Sequence, residues 1–555
     1  MSPASFSDRM RLLIPPITQI CNDEGVAGVS VGVIHNGDNI WTEGLGFRDQ
    51  AKTTLADADT VYEIGNITMS MVAAGIGKLV EEGKFDWTTS LIDILPEFKV
   101  LNTHLAYQAT IADLLSHRSG LNGNAELRLA FHGDGEVLLP RDLLLKTLET
   151  MPCSAALRPD WALCPWGYSI AAHIISSVSQ QPLHEYLKDQ LFQPLGMDST
   201  SLRPPFDEHK NVADSHASLA NGEIHSLNPR SRVEGTVLEG ACGAYSSVND
   251  LLKWAQATIT ASTGAAPSAV LKQIPHILNN QIAMVAPSLL ERSYGFGWAR
   301  AQLPGVVGLL GINKGIWDVS EQPVLGAEST SRLMIYHQGG ESGHSSFIAI
   351  FPETQSAVVV LTNTTSVSDA GDWIARTLIE GLFNHSNPVD HALLAEQARK
   401  RKLEQFQALH ESLSLQRKQG TIPLPRECYI GKYINKRFKF NLEIKASPES
   451  EHELTLNFQG RPSQTYKLRH YHDHVFEWSM SYDEVKKRGR YTITDPEYYK
   501  IKFEIYPDNR ASKIIWHLED LSCPEGLVFD WKDEKRAEAW QAVHRDIVAS
   551  ERRLA

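Results

Sequence analysis

Two strand-rich pairs at opposite ends of one long region constrain this chain most. The first is Gly28-Val29-Ser30-Val31-Gly32-Val33-Ile34 and then Asn39-Ile40-Trp41-Thr42, joined through His35-Asn36-Gly37-Asp38. Asn-Gly between β-rich runs is a strong hairpin signal, because both residues tolerate the positive φ that such turns need. The second pair is Ser346-Phe347-Ile348-Ala349-Ile350-Phe351, a turn at Pro352-Glu353-Thr354, and Ala357-Val358-Val359-Val360-Leu361, with a helix predicted from Asp369 to Leu382. The chain between the pairs is helical and loop-rich. Strands at both ends with helices between predict an α+β domain: one antiparallel sheet fed from both termini, flanked by helices, with a helical insertion.

Within that insertion, Tyr62 to Lys84 predicts a turn feeding a buried helix. Asn66 is a favoured N-cap residue, and Ile67, Met71, Val72, Ile76, Leu79 and Val80 keep helical spacing up to Gly83, which suits a left-handed end. Helix N–H groups beside a short polar side chain can stabilise an anion or hold a nucleophile.

Together with Leu114-Leu115-Ser116-His117-Arg118-Ser119-Gly120-Leu121, Pro194-Leu195-Gly196-Met197 and His337-Gln338-Gly339-Gly340, this segment resembles the serine β-lactamase and penicillin-binding protein family. The nearest branch is the class C β-lactamase, esterase and acyltransferase group. The resemblance implies a β-lactamase/transpeptidase-like fold with the active site between sheet and helical part. It also implies a Ser-x-x-Lys box of nucleophile and proton acceptor, but in register those positions are Asn66 and Met69. No serine in the chain is followed three residues later by lysine. The family's Tyr-x-Asn loop falls on Leu163 and Pro165, a register set by Gly167-Tyr168 and a helix predicted over Ser169 to Ser177. The third motif survives as His337-Gln338-Gly339, the His-x-Gly variant of Lys-Thr-Gly.

The resemblance further implies an oxyanion hole from the backbone N–H groups of Asn66 and Gly340, whatever their side chains. His337 is either a titratable group at the pocket or a hydrogen-bonded structural histidine. The candidate catalytic residues are therefore His337 and Asn66, and the candidate substrate-binding residues Gly340, Met69, Leu163 and Pro165. Cys164 reads as a small structural residue, and His117 with Ser119 as part of a structural word.

After Asn387-Pro388 the pattern changes to a long polar helix, Ala392 to Arg417, broken at Gly420-Thr421-Ile422-Pro423-Leu424-Pro425. Alternating runs such as Phe438 to Ile444, Leu454 to Phe458 and Tyr499 to Phe503 then predict a small β-barrel. With Tyr429-Ile430-Gly431-Lys432-Tyr433 this part resembles the lipocalin-like C-terminal domain often attached to the family. A last amphipathic helix is predicted from Glu534 to Arg553. The expected organisation is residues 1–385 as the β-lactamase-related domain, 386–424 as a helical linker, and 425–555 as the barrel with its terminal helix.

Charge narrows the partners. The net charge of −13 is scattered, with no long acidic or basic tract, which argues against nucleic acid. No window reaches the length of a membrane span, and Met1-Ser2-Pro3-Ala4-Ser5-Phe6 lacks a basic n-region, so a cytoplasmic protein with reduced thiols is expected. The six cysteines form no CxxC pair, and no metal or cofactor is expected. His470, His472 and His474 alternate as metal ligands could, or as solvated turn histidines do. The function expected is an enzyme acting on a carbonyl-bearing small molecule without a serine acyl-enzyme, by cyclisation, isomerisation or acyl transfer. Alternatives are a conventional hydrolase or acyltransferase with an unrecognised nucleophile, and an inactive binding or scaffolding protein.

Overall fold

The computed structural model describes residues 5–49, 51–100, 102–121, 134–150, 156–205, 211–227, 233–264, 269–285, 288–318, 321–385, 387–450, 453–517 and 526–532. The helix predicted at Glu534 to Arg553 lies outside the described residues. The chain divides into two compact units, one of Met1–His410 with Met480–Thr494, the other of Glu411–Ser479 with Asp495–Ala555.

The first unit is built on an eight-stranded antiparallel sheet. Its strands are β1 (Gly28–His35), β2 (Asn39–Gly46), β3 (Ile282–Ala283), β4 (Arg292–Tyr294), β5 (Ala299–Leu303), β6 (Arg332–Glu341), β7 (His344–Phe351) and β8 (Ser356–Thr362). Their order is β2-β1-β8-β7-β6-β5-β4-β3, so β1 from the start of the chain pairs with β8 from its end, Val31 opposite Val360. The Asn-Gly turn closes the first hairpin with Asn36 at φ 53° and Gly37 at φ 82°.

Both faces of the sheet are covered, which is why its strands read as continuous apolar runs. On one face Val29, Val31, Tyr336, Phe347, Ala349 and Val358 share a core with Ile17 and Ile20 of α1 (Ile14–Glu24) and Trp373, Ile374 and Leu378 of a later helix, Ala370–Leu382. The other face carries the helical insertion. Its principal helices are α2 (Thr68–Glu81), α3 (Pro165–Ser179) and α4 (Val248–Thr263), and the later helix is α5. A β-carbon at Gly32 would meet Val248 at 2.5 Å, so α4 lies directly on β1.

The start of α2 differs from the sequence expectation. Gly65–Ile67 forms a turn of 3-10 helix, α2 begins at Thr68, and Ile67 takes the N-cap position with no side-chain cap bond. Asn66 is therefore not the cap: Gly65, at φ +50°, turns the chain a residue earlier and Thr68 closes the turn by donating to the Gly65 carbonyl at 2.6 Å. The other end is as expected, with Gly83 at φ +70°.

α6 (His391–Gln416) follows, and the second unit is a closed barrel of eight strands, β9 (Gly431–Asn435), β10 (Phe440–Ala446), β11 (Leu454–Phe458), β12 (Thr465–His472), β13 (Val475–Glu477), β14 (Lys500–Ile505), β15 (Ala511–Trp516) and β16 (Leu527–Trp531). β16 pairs back to β9, Trp531 opposite Tyr433, so no edge is left open. Large rings fill it: Phe458 stacks on Trp516 at 5.4 Å between centroids, and Trp478 meets Trp516 edge-on at 6.0 Å.

Candidate active site

Asn66 and Gly340 come together where β6 passes the start of α2. A β-carbon on Gly339 would clash with the Ile64 carbonyl and come within 3.0 Å of the Asn66 nitrogen, and one on Gly65 would lie 2.7 Å from the Gly340 nitrogen. Only glycine permits this approach, and Gly65 additionally needs its positive φ. Ser346, opposite Gly339 on β7, ties the two segments by donating to the Ile64 carbonyl at 2.8 Å. Asn66 and Gly340 are half-buried, and a β-carbon on Gly340 would meet nothing within 4 Å, so the surface there opens toward solvent.

His337 lies two residues before Gly339 on the same face of β6 and is fully buried. Its Nδ1 lies 2.8 Å from the Gln338 carbonyl oxygen, and its Nε2 lies 3.0 Å from the Tyr294 hydroxyl. Tyr294 is also 3.3 Å from Nε2 of His117, whose Nδ1 accepts the Cys164 N–H at 3.1 Å. These partners fix both tautomers. A carbonyl only accepts, so His337 carries its proton on Nδ1 and its Nε2 accepts from Tyr294; a backbone N–H only donates, so His117 carries its proton on Nε2 and gives it to the Tyr294 oxygen. The result is a buried neutral chain from His117 through Tyr294 to His337. Burial pushes the His337 ring down to about 4, and burial together with the His337 ring pushes His117 down to about 3.

The other candidates flank this chain. Leu163 is half-buried beside Cys164, and Pro165, buried, opens α3 at its first position, where a missing N–H costs nothing. Met69 is fully buried, its carbonyl against Gly297, where a β-carbon would come within 2.7 Å.

The hydroxyls and thiols near Asn66 are committed elsewhere. Thr68 is buried and donates to the Gly65 carbonyl, and Ser70 is buried and donates to the Ile67 carbonyl at 2.8 Å. Cys164 and Cys242 are buried. Burial, with Glu341 and Glu63 nearby, pushes the Cys242 thiol well above its ordinary value, against thiolate formation. His470, His472 and His474 belong to the second unit and are spent locally: His470 faces the Asp473 carbonyl, His472 the Asp473 carboxylate and His474 the Tyr429 hydroxyl. Among the described residues no group of three His, Cys, Asp or Glu side chains is placed to hold a metal ion.

Two site residues escaped the sequence reading. Tyr294 had a local signal, the alternation Tyr294-Gly295-Phe296-Gly297-Trp298, in which Gly297 allows close approach to α2 and Gly295 to the carbonyls of Ile277 and Asn279. Tyr491 had none. It sits in the polar run Lys486-Lys487-Arg488-Gly489-Arg490-Tyr491, yet its hydroxyl donates to the Gly340 carbonyl at 3.1 Å.

Comparison with known proteins agrees with this fold. Residues 415–535 match a family described as a domain of unknown function (DUF3471). The unguisins hydrolase ungD of Aspergillus violaceofuscus is 25% identical over 372 residues, covering 62% of this chain and 60% of that protein, so the chain spans about three fifths of its relative's length. The octameric penicillin-binding protein homologue from Pyrococcus abyssi superposes with a TM-score of 0.54 at 20% identity, covering 91% of this chain and 98% of that one. A class C β-lactamase from Rhodobacter sphaeroides superposes with a TM-score of 0.53 at 20% identity, covering 67% of this chain and 98% of that one. Residues 10–380, well over half of the sequence, match the Beta-lactamase family, and the chain belongs to it.

Proposed function

We propose that this chain is an enzyme of the β-lactamase family that acts on a carbonyl-bearing small molecule without forming a serine acyl-enzyme. What supports the reading is the close approach of the Asn66 and Gly340 backbone segments at a position that carries no side-chain hydroxyl. The Asn66 and Gly340 amides remain where β6 meets the start of α2, while position 66 carries an amide side chain and the hydroxyls of Thr68 and Ser70 point back into the backbone. Two N–H groups aimed at one oxygen polarise a carbonyl, and holding reactants in place supplies much of a barrier reduction. The neutral His337–Tyr294–His117 chain adds a route for one proton. Enolisation, ring closure or acyl transfer between two bound substrates needs no more than this. A cytoplasmic setting and a small-molecule partner belong to the same proposal; no helix among the described residues is long and apolar enough to cross a membrane.

A second reading, a conventional hydrolase using another nucleophile, is favoured by the name of the Aspergillus relative. Intact-mass spectrometry after incubation with nitrocefin and p-nitrophenyl esters separates the two. The first expects no covalent adduct and no burst of product, and an adduct on any side chain would establish the second.

A further inference from the structure

The edge of β6 beside Asn66 is met by a side chain from far along the sequence. β5 pairs with β6 only as far as Tyr336, opposite Ala299, whereas β7 stays paired to Glu341, opposite His344. The two-residue turn Ser342-Gly343 makes Glu341 and His344 the closing hydrogen-bonded pair. Gly339 and His337 then also bond β7, and the backbone groups of Gln338 and Gly340 face the opposite edge. Such an edge is a template for strand addition: an extended ligand lying along it would donate an amide N–H to the Gly340 oxygen. That oxygen already accepts from Tyr491.

Tyr491 is brought there by Met480–Thr494, which belongs to the first unit although it falls between β13 and β14 of the barrel. Within it α7 (Tyr482–Lys487) is held by a capping box of Ser481 and Glu484 and buries Tyr482 and Val485. The Ala220 N–H donates to Asp483 at 2.8 Å, Arg488 donates both Nε and Nη2 to the Asp134 carboxylate at 2.7 Å each, and Ser342 donates to the Gly489 carbonyl at 2.9 Å. A bidentate guanidinium–carboxylate pair fixes orientation as well as position. Burial and then the neighbouring Glu341, Cys242 and Glu63 hold the phenol well above its ordinary pKa, so Tyr491 is a donor and not a base.

We infer that Tyr491 determines specificity: by filling the Gly340 acceptor it reserves the site for carbonyl compounds with no amide N–H beside the reacting carbonyl, and it disfavours N-acylamino and peptide substrates. This rests on the carbonyl-pocket reading above. The test uses the full-length protein and two probes that differ in one group, N-acetylalanine methyl ester and methyl 2-acetoxypropionate, in which oxygen replaces the N–H. Saturation-transfer NMR titration of the wild-type protein should find the ester bound more tightly than the amide. Tyr491→Phe frees the acceptor and should favour the amide by about three- to ten-fold, the scale of one hydrogen bond, with the ester unchanged. Arg488→Gln, which loosens the segment without touching the probe, should reproduce the gain. If the ester binds but the ratio of the two probes stays at its wild-type value in both variants, Tyr491 does not set specificity. If the ester does not bind the wild-type protein, the carbonyl pocket itself is wrong and the inference falls with it.

Discussion

At the scale of single residues, His337 has both ring nitrogens satisfied inside the fold, by the Gln338 carbonyl and the Tyr294 hydroxyl. His337→Gln keeps an amide near those partners but removes the titrating ring, and turnover of the native substrate should fall by about two orders of magnitude, measured as kcat. The same variant has a pH signature that needs no substrate. The folded pKa of His337 is lowered from 6.5 to about 4, so the group binds its proton in the unfolded chain first, and its stability contribution is lost as pH falls from 6.5 toward 4. Thermal melts should therefore show the variant gaining on the wild-type protein by about 2 kcal/mol between pH 7 and pH 5. A difference that stays flat with pH would place the neutral ring elsewhere. Asn66→Ser with Met69→Lys should yield no acyl adduct by intact mass and a lower Tm, because Leu163 and Pro165 remain and the new ammonium enters a fully buried position. The candidate positions 66, 69, 163 and 165 were legible as places in short, ordered sequence words. The neutrality of His337 was not, since it depends on Tyr294 and on burial.

Among secondary-structure elements, the sheet strands and α5 were readable because apolar runs and turn residues are local signals, whereas the start of α2 was misplaced because the close approach of β6 at Gly339 overrides capping preference. The joint between α1 and α5 shows what such patterns omit. Glu24 ends α1 with no exposed surface, and its carboxylate accepts from the Ser368 N–H at 2.8 Å and the Ser368 hydroxyl at 2.7 Å, just before Asp369 caps α5. Burial, only partly offset by Ser368 and Arg399, raises Glu24 from 4.5 to about 7. A carboxyl raised in the folded state ionises first in the unfolded chain, so its contribution is largest below pH 4.5 and declines as pH rises toward 7. Glu24→Gln removes that decline. The unfolding free energy of the variant relative to the wild-type protein should rise by about 3 kcal/mol from pH 4.5 to pH 7.5, read from urea melts at each pH. An unchanged difference would mean that Glu24 is ionised in the folded chain.

For the molecule as a whole, the boundary between the two units is crossed more often than the sequence suggests. A composition shift near Pro388 and the break at Gly420 to Pro425 mark one crossing, with Leu415 and Ile422 exposed on either side of Gly420. The return of Met480–Thr494 to the first unit adds two more, and nothing in its polar sequence announces them. Polar contacts such as Arg488 with Asp134, made across 354 positions of sequence, leave no periodicity to read. The consequence is testable by nicking the intact protein. Trypsin should cut first at Arg417 or Lys418, where α6 has ended and the chain is irregular. Cutting there separates the covalent chain into an N-terminal fragment and a barrel-bearing one, which denaturing gels will resolve. Under native conditions the fragments should nevertheless co-elute, because the C-terminal fragment supplies Tyr482, Val485 and Lys486, all buried in the first unit. Adding Arg488→Gln to the nicked protein removes the bidentate pair and should shift the elution toward separate fragments. Fragments that separate without that change would show that Met480–Thr494 is held weakly, and the acceptor at Gly340 would then be open to any ligand.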